Sequence, residues 1–185
     1  MRLALGVSYA GTAYQGWQSQ SSGLTIQDKL EKALSQFCDL PRVSTLCAGR
    51  TDAGVHGLMQ VVHFDTDIER DPYSWVRGTN RYLPDDISVQ WAQEVPAEFH
   101  ARGSALSRRY AYIVLESPVR PSLEFGRVGW VYRPLDLQNM QEAAQHLNDK
   151  IKAVRQRGRN LSNEQAAVLA ALHAQDMAFV QAYRS

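Results

Sequence analysis

Hydrophobic and polar positions alternate along the first part of the chain in the way that β-strands require. Leu3, Leu5 and Val7 share one face of a predicted strand over residues 2–10. The same alternation predicts further strands over residues 43–48, 58–66, 87–95, 107–116 and 126–132. The chain therefore begins as a series of short strands.

Apolar residues at helical spacing lie between these strands. They predict helices over about residues 25–37, 72–82 and 136–147. Thr25 followed by Asp28 resembles a capping box, with Asp in place of Glu or Gln. Pro72 suits the first turn of a helix, and Asp136 is a typical N-cap residue. Each predicted helix thus has a residue that favours its start.

The predicted order of elements is strand, helix, strand, strand, helix, strand. This order is typical of the ferredoxin-like split βαβ fold, an α+β class with a mostly antiparallel sheet. Residues 148–159 indicate a basic linker. A C-terminal helix is predicted from Ser162 to about Tyr183, opened by a second capping box.

Composition indicates an ordinary soluble domain, because 44% of the 185 residues are hydrophobic and 21% are charged. A net charge of +1 does not by itself predict a nucleic-acid-binding protein. The basic residues are nevertheless grouped: residues 99–134 hold six arginines and two glutamates, and residues 150–159 hold five basic residues and no acid. Such groups suit phosphate contacts, and solvated surface charge is the alternative explanation.

Several classes of protein are not indicated. Cys38 and Cys47 have neither metal-ligand nor disulfide-framework spacing, and no His/Cys cluster suggests zinc. No apolar run approaches the length of a membrane span. The chain enters a strand pattern at Met1 without a signal-peptide pattern. We expect a protein without a bound metal or membrane segment, in the reducing cytoplasm.

The string Ala48-Gly49-Arg50-Thr51-Asp52-Ala53-Gly54-Val55-His56-Gly57 is the strongest candidate for chemistry. Its acid, Asp52, stands between two glycines and beside Arg50, directly before a predicted strand. Glycine lets a backbone approach a ligand closely, and loops beside rigid strands often carry function. The alternative is a tight turn whose Asp bonds its own backbone.

This string resembles the catalytic loop of the tRNA pseudouridine synthase A family. Other strings resembling that family follow in the family's order, at residues 9–18, 25–34, 60–64, 83–87, 99–102 and 108–113. The resemblance covers about residues 1–147. It implies an isomerase that breaks the N-glycosidic bond of a uridine, rotates the base and rejoins it through carbon, without a cofactor.

The resemblance also implies roles for particular residues. Asp52 matches the catalytic carboxylate, which acts either as a nucleophile at the sugar or as a base. Arg50 is placed to supply positive charge or a phosphate contact, with a surface ion pair as the alternative. Tyr110 matches the tyrosine that stacks on the flipped base, although a core tyrosine is the alternative. We expect Tyr112 to lie in the core.

Three further arginines, Arg102, Arg108 and Arg109, are candidates for RNA phosphate contacts. Tyr14, Trp17 and Gln18 lie on a loop matching one that borders the family's RNA cleft, and either base stacking or packing suits them. By resemblance the substrate is tRNA, at uridines 38 to 40 of the anticodon stem-loop. The family acts as a homodimer.

The resemblance fades after about Leu147, and the family's second half has no counterpart. We therefore predict an N-terminal synthase domain over residues 1–147 and an atypical tail over residues 148–185. A truncated or frame-disrupted coding sequence and a diverged fusion both fit such a tail. Because Asp52 would lack partners from the second half, we expect weak or no activity. A catalytically impaired RNA-binding fragment, or a non-functional product, is the alternative.

Overall fold

The computed structural model describes residues 1–157 and 181–184. The chain divides into two compact units, the first spanning Met1–Arg109 and the second beginning at Tyr110. The boundary near residue 147 suggested by the sequence stays a prediction. No helix in the described residues is long and apolar enough to cross a membrane.

The first unit holds a four-stranded antiparallel sheet in the order β2-β3-β1-β4. Its elements are β1 (Arg2–Tyr9), α1 (Ile26–Cys38), β2 (Leu46–Cys47), β3 (Gly57–Asp65), α2 (Pro72–Asn80) and β4 (Ile87–Val95). The strand β3 lies between β1 and β2, and β1 lies between β3 and β4. Each helix therefore connects strands that are not neighbours. This arrangement confirms the predicted ferredoxin-like α+β fold.

One face of β1 packs into the hydrophobic core of this unit. Leu3, Leu5 and Val7 are all buried, as the alternation predicted. They pack with buried residues of the other elements: Ile26, Leu30, Leu34, Val62, Phe64, Trp75 and Val89. Burying these side chains is the main stabilising contribution to the unit, and it fixes which face of each strand points toward the helices.

Both helices of the first unit begin at the residues that the sequence indicates. The Thr25 hydroxyl accepts a hydrogen bond from the Asp28 N–H at 3.2 Å and donates to the Asp28 carboxylate at 2.6 Å. Asp71 caps α2 by accepting from the N–H groups of Tyr73 and Ser74. These side chains satisfy backbone donors that the first helical turn leaves unpaired.

Three predicted strands, over residues 43–48, 107–116 and 126–132, are much shorter in the structure. Only Leu46–Cys47 of residues 43–48 pairs with β3. The backbone N–H groups of Val43 and Thr45 instead donate to Ser35 Oγ and Glu31 Oε1 of α1, both at 2.8 Å. Side chains of the helix thus replace the strand partner that the alternating pattern implies.

The second unit contains a three-stranded parallel sheet in the order β6-β5-β7. Its elements are β5 (Ile113–Glu116), β6 (Gly129–Val131), α3 (Leu137–Arg157) and β7 (Gln181–Arg184). The predicted strand over residues 107–116 is therefore wrong before Ile113. Residues 107–112 are exposed, and none of them pairs with a strand in the described residues, so alternation alone does not make them a strand.

The predicted basic linker is also wrong as far as Arg157, because α3 continues through it. Asp136 starts the helix as predicted, accepting from the Asn139 N–H at 3.0 Å. No glycine or proline interrupts residues 137–157, so nothing in the backbone ends the helix near Leu147. The predicted C-terminal helix lies outside the described residues over 162–180, and residues 181–184 form β7 instead.

Candidate active site

Asp52 lies on the loop that joins β2 to β3, and its side chain is exposed. The loop turns sharply after it: the Val55 N–H donates to the Asp52 carbonyl at 3.2 Å, and Gly54 has a φ of +79°. The turn leaves the carboxylate at the surface rather than folded into the core. Such a position makes the group available to an incoming ligand.

A second loop, residues 10–17 after β1, holds the Asp52 loop in place. The Trp17 N–H donates to the Thr51 carbonyl at 2.9 Å, and the Gly54 N–H donates to the Tyr14 carbonyl at 3.3 Å. The hydroxyls of Tyr9 and Thr51 are 2.9 Å apart and share a hydrogen bond. Thr51 and Gly54, on either side of Asp52 in the sequence, are therefore both hydrogen-bonded to the second loop.

Two glycines allow these loops to touch. A Cβ atom on Gly11 would lie 1.9 Å from the Val55 carbonyl oxygen, so no larger residue fits without moving the backbone. Gly16 has a φ of +88°, and a Cβ atom there would lie 2.7 Å from the Thr51 carbonyl oxygen. The spacing of these glycines is thus a requirement of loop packing beside Asp52.

The aromatic residues of the second loop pack inward. Trp17 is 0% exposed and Tyr14 is 8% exposed, so packing rather than base stacking explains both side chains. The Tyr14 hydroxyl donates to Asp86 Oδ1 at 2.5 Å, and burial together with this bond raises the Tyr14 pKa. Gln18, which directly follows this loop, donates to the Gln27 side chain at 2.9 Å.

The entrance to the Asp52 loop is held from the other side by Gln60 of β3. Its amide oxygen accepts from the Gly49 N–H at 3.3 Å, and its amide nitrogen donates to the Gly49 carbonyl. The Ala48 N–H donates to the Val61 carbonyl at 2.8 Å. One side chain thus extends the β2–β3 pairing up to the residue before Arg50.

Arg108 adds a further tie at the same place. Its guanidinium donates to the Ala48 carbonyl at 2.7 and 3.1 Å and to the Arg102 carbonyl at 3.2 Å. The structure therefore shows Arg108 joining the start of the Asp52 loop to the Arg102 segment. Its contact with an RNA phosphate stays a prediction.

Arg50, Arg102 and Arg109 are all exposed. Burial raises the pKa of the Cys47 thiol, and the positive charges of Arg50 and Arg102 oppose that rise. Both guanidinium groups therefore act on the end of β2, just before the Asp52 loop. Asp52 and all four candidate arginines belong to the first unit.

Tyr110 is the first residue of the second unit and is 64% exposed. Its exposure does not fit the alternative of a core tyrosine and leaves its ring face available for stacking. Tyr112 is 69% exposed, so the expectation that it belongs to the core is wrong. Neither residue lies in a strand.

His63 was not a candidate, yet it is the most buried histidine of the described region at 2% exposed. Its Nδ1 accepts from the Ala101 N–H at 3.2 Å, and its ring lies 5.0 Å from that of His100. Burial, with the nearby charges of Arg2 and His100, lowers the His63 pKa. His63 thus fastens the segment that carries Arg102 onto β3.

No group of three or more His, Cys, Asp or Glu side chains that suits a metal ion occurs in the described ranges. Asp52, Arg50 and Arg102 are exposed residues of the same unit. The first unit thus offers an exposed carboxylate and several exposed arginines, and arginines suit contacts with a substrate that carries phosphate.

Comparison with known proteins gives two family matches. The family model described as tRNA pseudouridine synthase matches residues 6–102, which include the Asp52 loop. The model described as cell division protein ZapA matches residues 134–183, which include α3. Different families thus match the two ends of the chain.

Curated relatives agree with the first match. The chain is 72% identical over 147 residues to a tRNA pseudouridine synthase A from Polaromonas sp. strain JS666, covering 80% of this chain and 55% of the relative. It is 69% identical over 147 residues to the protein of that name from Methylibium petroleiphilum, covering 80% of this chain and 56% of the relative. The chain spans about half the length of these curated relatives.

Proposed function

Because the chain belongs to the tRNA pseudouridine synthase family, we propose that it carries the catalytic acid of a uridine-to-pseudouridine isomerase acting on tRNA. The observation that supports this most is the presentation of Asp52. Its carboxylate is exposed on a loop that is hydrogen-bonded on both sides, at Thr51 and Gly54. Pre-positioning of a reacting group lowers the entropic cost of reaching the transition state.

In the proposed reaction the bond between uracil and ribose breaks, the base rotates, and a carbon–carbon bond replaces the carbon–nitrogen bond. Uracil C5 loses its proton at the end and N1 takes up a proton after it leaves the sugar, so atoms and charge balance without an external reagent. The ionised Asp52 either attacks the sugar carbon and leaves again when C5 attacks that carbon, or removes a ribose proton and returns it when the new bond forms. Arg50 supplies positive charge beside it.

The RNA contacts proposed for this chain follow from the exposed basic and aromatic groups. Arg50, Arg102 and Arg109 would bind phosphates, and Tyr110 would stack on the base once it leaves the helix. Arg108 would contribute partly by holding the loop. The proposed target is a uridine at positions 38 to 40 of the anticodon stem-loop, acted on in the cytoplasm by a homodimer.

A tritium-release assay tests this function. Unmodified tRNA with C5-tritiated uridine is incubated with excess protein, so that even a slow single turnover is registered. We expect slow release by the 185-residue chain, because it spans about half of its relatives, and none above background by Asp52→Asn. Salt-dependent tRNA binding should be similar for both proteins.

The same assay decides between the proposed enzyme and its alternative. Release by Asp52→Asn at the wild-type rate would contradict the role of Asp52. Intact tRNA binding without release by either protein would favour a catalytically impaired RNA-binding fragment. Absence of tRNA binding would contradict both.

A further inference from the structure

A second basic surface lies in the helix layer of the first unit, away from the Asp52 loop. A cavity of about 560 Å³ is lined mainly by residues of α2 and its flanks, with Phe37 of α1 at one side. Three arginines, Arg70, Arg77 and Arg81, line this cavity, which we call the α2 arginine cavity. It shares no lining residue with the Asp52 loop.

These arginines are not engaged in salt bridges in the described residues. A neighbouring depression of about 500 Å³ differs in its lining, because Lys32 and Arg42 line it together with Glu31 and Asp39. The lining of the α2 arginine cavity thus holds three arginines and no acid, although Glu69 and Asp71 stand on either side of Arg70 in the sequence.

Aromatic rings orient two of the guanidinium groups. Arg70 lies 4.2 Å from the centre of the Phe37 ring, and Arg77 lies 5.7 Å from that of Tyr73. Stacking on a ring leaves the N–H edge of the planar guanidinium group free for acceptors that present two oxygen atoms. Phosphate is such an acceptor.

We propose that the α2 arginine cavity binds the phosphodiester backbone of RNA, as a contact separate from the one at Asp52. This inference rests on the proposed function, which supplies the RNA. The helix α2 is about 13 Å long at 1.5 Å per residue, and Arg70 and Arg81 lie just beyond its two ends. That length suits a row of phosphates better than one small anion, and exposed Tyr73 offers a surface for a sugar or base.

Binding of unmodified tRNA to two charge-matched variants tests the proposal. One variant is Arg70→Gln/Arg77→Gln/Arg81→Gln. The control, Lys29→Gln/Lys32→Gln/Arg42→Gln, also removes three positive charges, in this case from α1 and the neighbouring depression. We expect the arginine variant alone to bind tRNA about tenfold more weakly at low salt. The slope of its log K against log salt concentration should be smaller in magnitude by about two.

Equal binding by the two variants would overturn the proposal while leaving the proposed function intact. Failure of the wild-type chain to bind tRNA would instead overturn the proposed function, and this inference with it. Because Arg70 packs on Phe37, the double variant Arg77→Gln/Arg81→Gln serves where the triple variant unfolds. It should retain more than half of the effect on the salt dependence.

The NMR resonances of the arginine Nε–H groups, followed while the wild-type chain is titrated with the same tRNA, test binding at the α2 arginine cavity directly. The resonances of Arg70, Arg77 and Arg81 should shift, and the Arg42 resonance should not. Shifts confined to Arg50, Arg102 and Arg109 would contradict binding at the α2 arginine cavity.

Discussion

The amide of Gln60 fixes the approach to the candidate catalytic acid. It meets both the N–H and the carbonyl of Gly49, as a neighbouring strand would. Gly49 and Gln60 are 11 residues apart, so no local pattern reveals the pair. The sequence identifies the loop as a site, whereas the residue that holds it becomes visible only once β3 is folded.

Replacing Gln60 by alanine should destabilise the first unit by about 1–2 kcal/mol, because two hydrogen bonds are lost. Gln90→Ala is the matched control on β4, where the amide makes one exposed bond to Ser8 Oγ. That change should cost less than about 0.5 kcal/mol. Urea unfolding of both variants gives the comparison, and equal costs would contradict the holding role of Gln60.

The close contact between the two loops predicts a difference between two glycines. Gly16→Ala places a methyl group against the Thr51 carbonyl in a backbone with positive φ. Gly23 also has a positive φ, of +65°, but nothing lies within 4 Å of its added Cβ atom. Gly23→Ala should therefore cost about 1–2 kcal/mol, from backbone strain alone.

Gly16→Ala should cost at least about 1 kcal/mol more than Gly23→Ala, since it adds a steric overlap to the same strain. Thermal unfolding monitored by circular dichroism measures both. Similar melting temperatures for the two variants would show that the loops do not pack as described.

His63 predicts how stability depends on pH. Its pKa is lowered in the folded chain, so the unfolded chain binds a proton more readily. Stability from His63 is complete above its unfolded pKa of about 6.5 and falls as the pH drops through that value toward the folded pKa. Urea unfolding at pH 7.5 and pH 5.5 should show this loss in the wild-type chain.

The exposed neighbour provides the control for this effect. His100→Gln should keep most of the loss of stability between the two pH values, whereas His63→Gln should reduce it. A loss that persists unchanged in His63→Gln would assign the effect to another group. Carboxylates whose pKa is lowered, such as Asp65, change protonation at lower pH. They therefore do not contribute to the difference in stability between pH 7.5 and pH 5.5.

At the scale of elements, helix starts are the features that local sequence predicts best. Thr25, Asp71 and Asp136 each cap a helix by accepting from nearby backbone N–H groups. These interactions span two or three residues, so the sequence contains all the information. Strand ends are different because they depend on partners: Tyr112 alternates correctly with Val114, yet it lies outside β5 and is exposed.

The cap of α1 gives a direct test at this scale. Thr25→Ala should destabilise the first unit by about 1 kcal/mol, because the Asp28 N–H loses its acceptor. Thr25→Ser keeps the hydroxyl and should retain most of the capping contribution. If the alanine and serine variants unfold at the same urea concentration, the cap does not contribute.

At the scale of the whole molecule, the chain joins a portion that matches the synthase family to a C-terminal segment, residues 134–183, that matches a different family. The fold of the first unit follows from alternation and capping, and the Asp52 loop follows from its own sequence. The parallel sheet of the second unit does not, because each residue of β5 pairs with a residue of β7 that lies 68 positions further along the chain. Contacts between such distant segments leave no periodic signal in the sequence.

The most direct test of the account is the pseudouridine content of tRNA after incubation with an excess of the chain. Nuclease digestion and chromatography of the nucleosides give this content for the wild type, Asp52→Asn and Asp67→Asn, the last removing an exposed acid outside the loop. We predict pseudouridine with the wild type and Asp67→Asn and none with Asp52→Asn. Equal pseudouridine with Asp52→Asn, or none with a wild-type chain that binds the tRNA, would contradict the account.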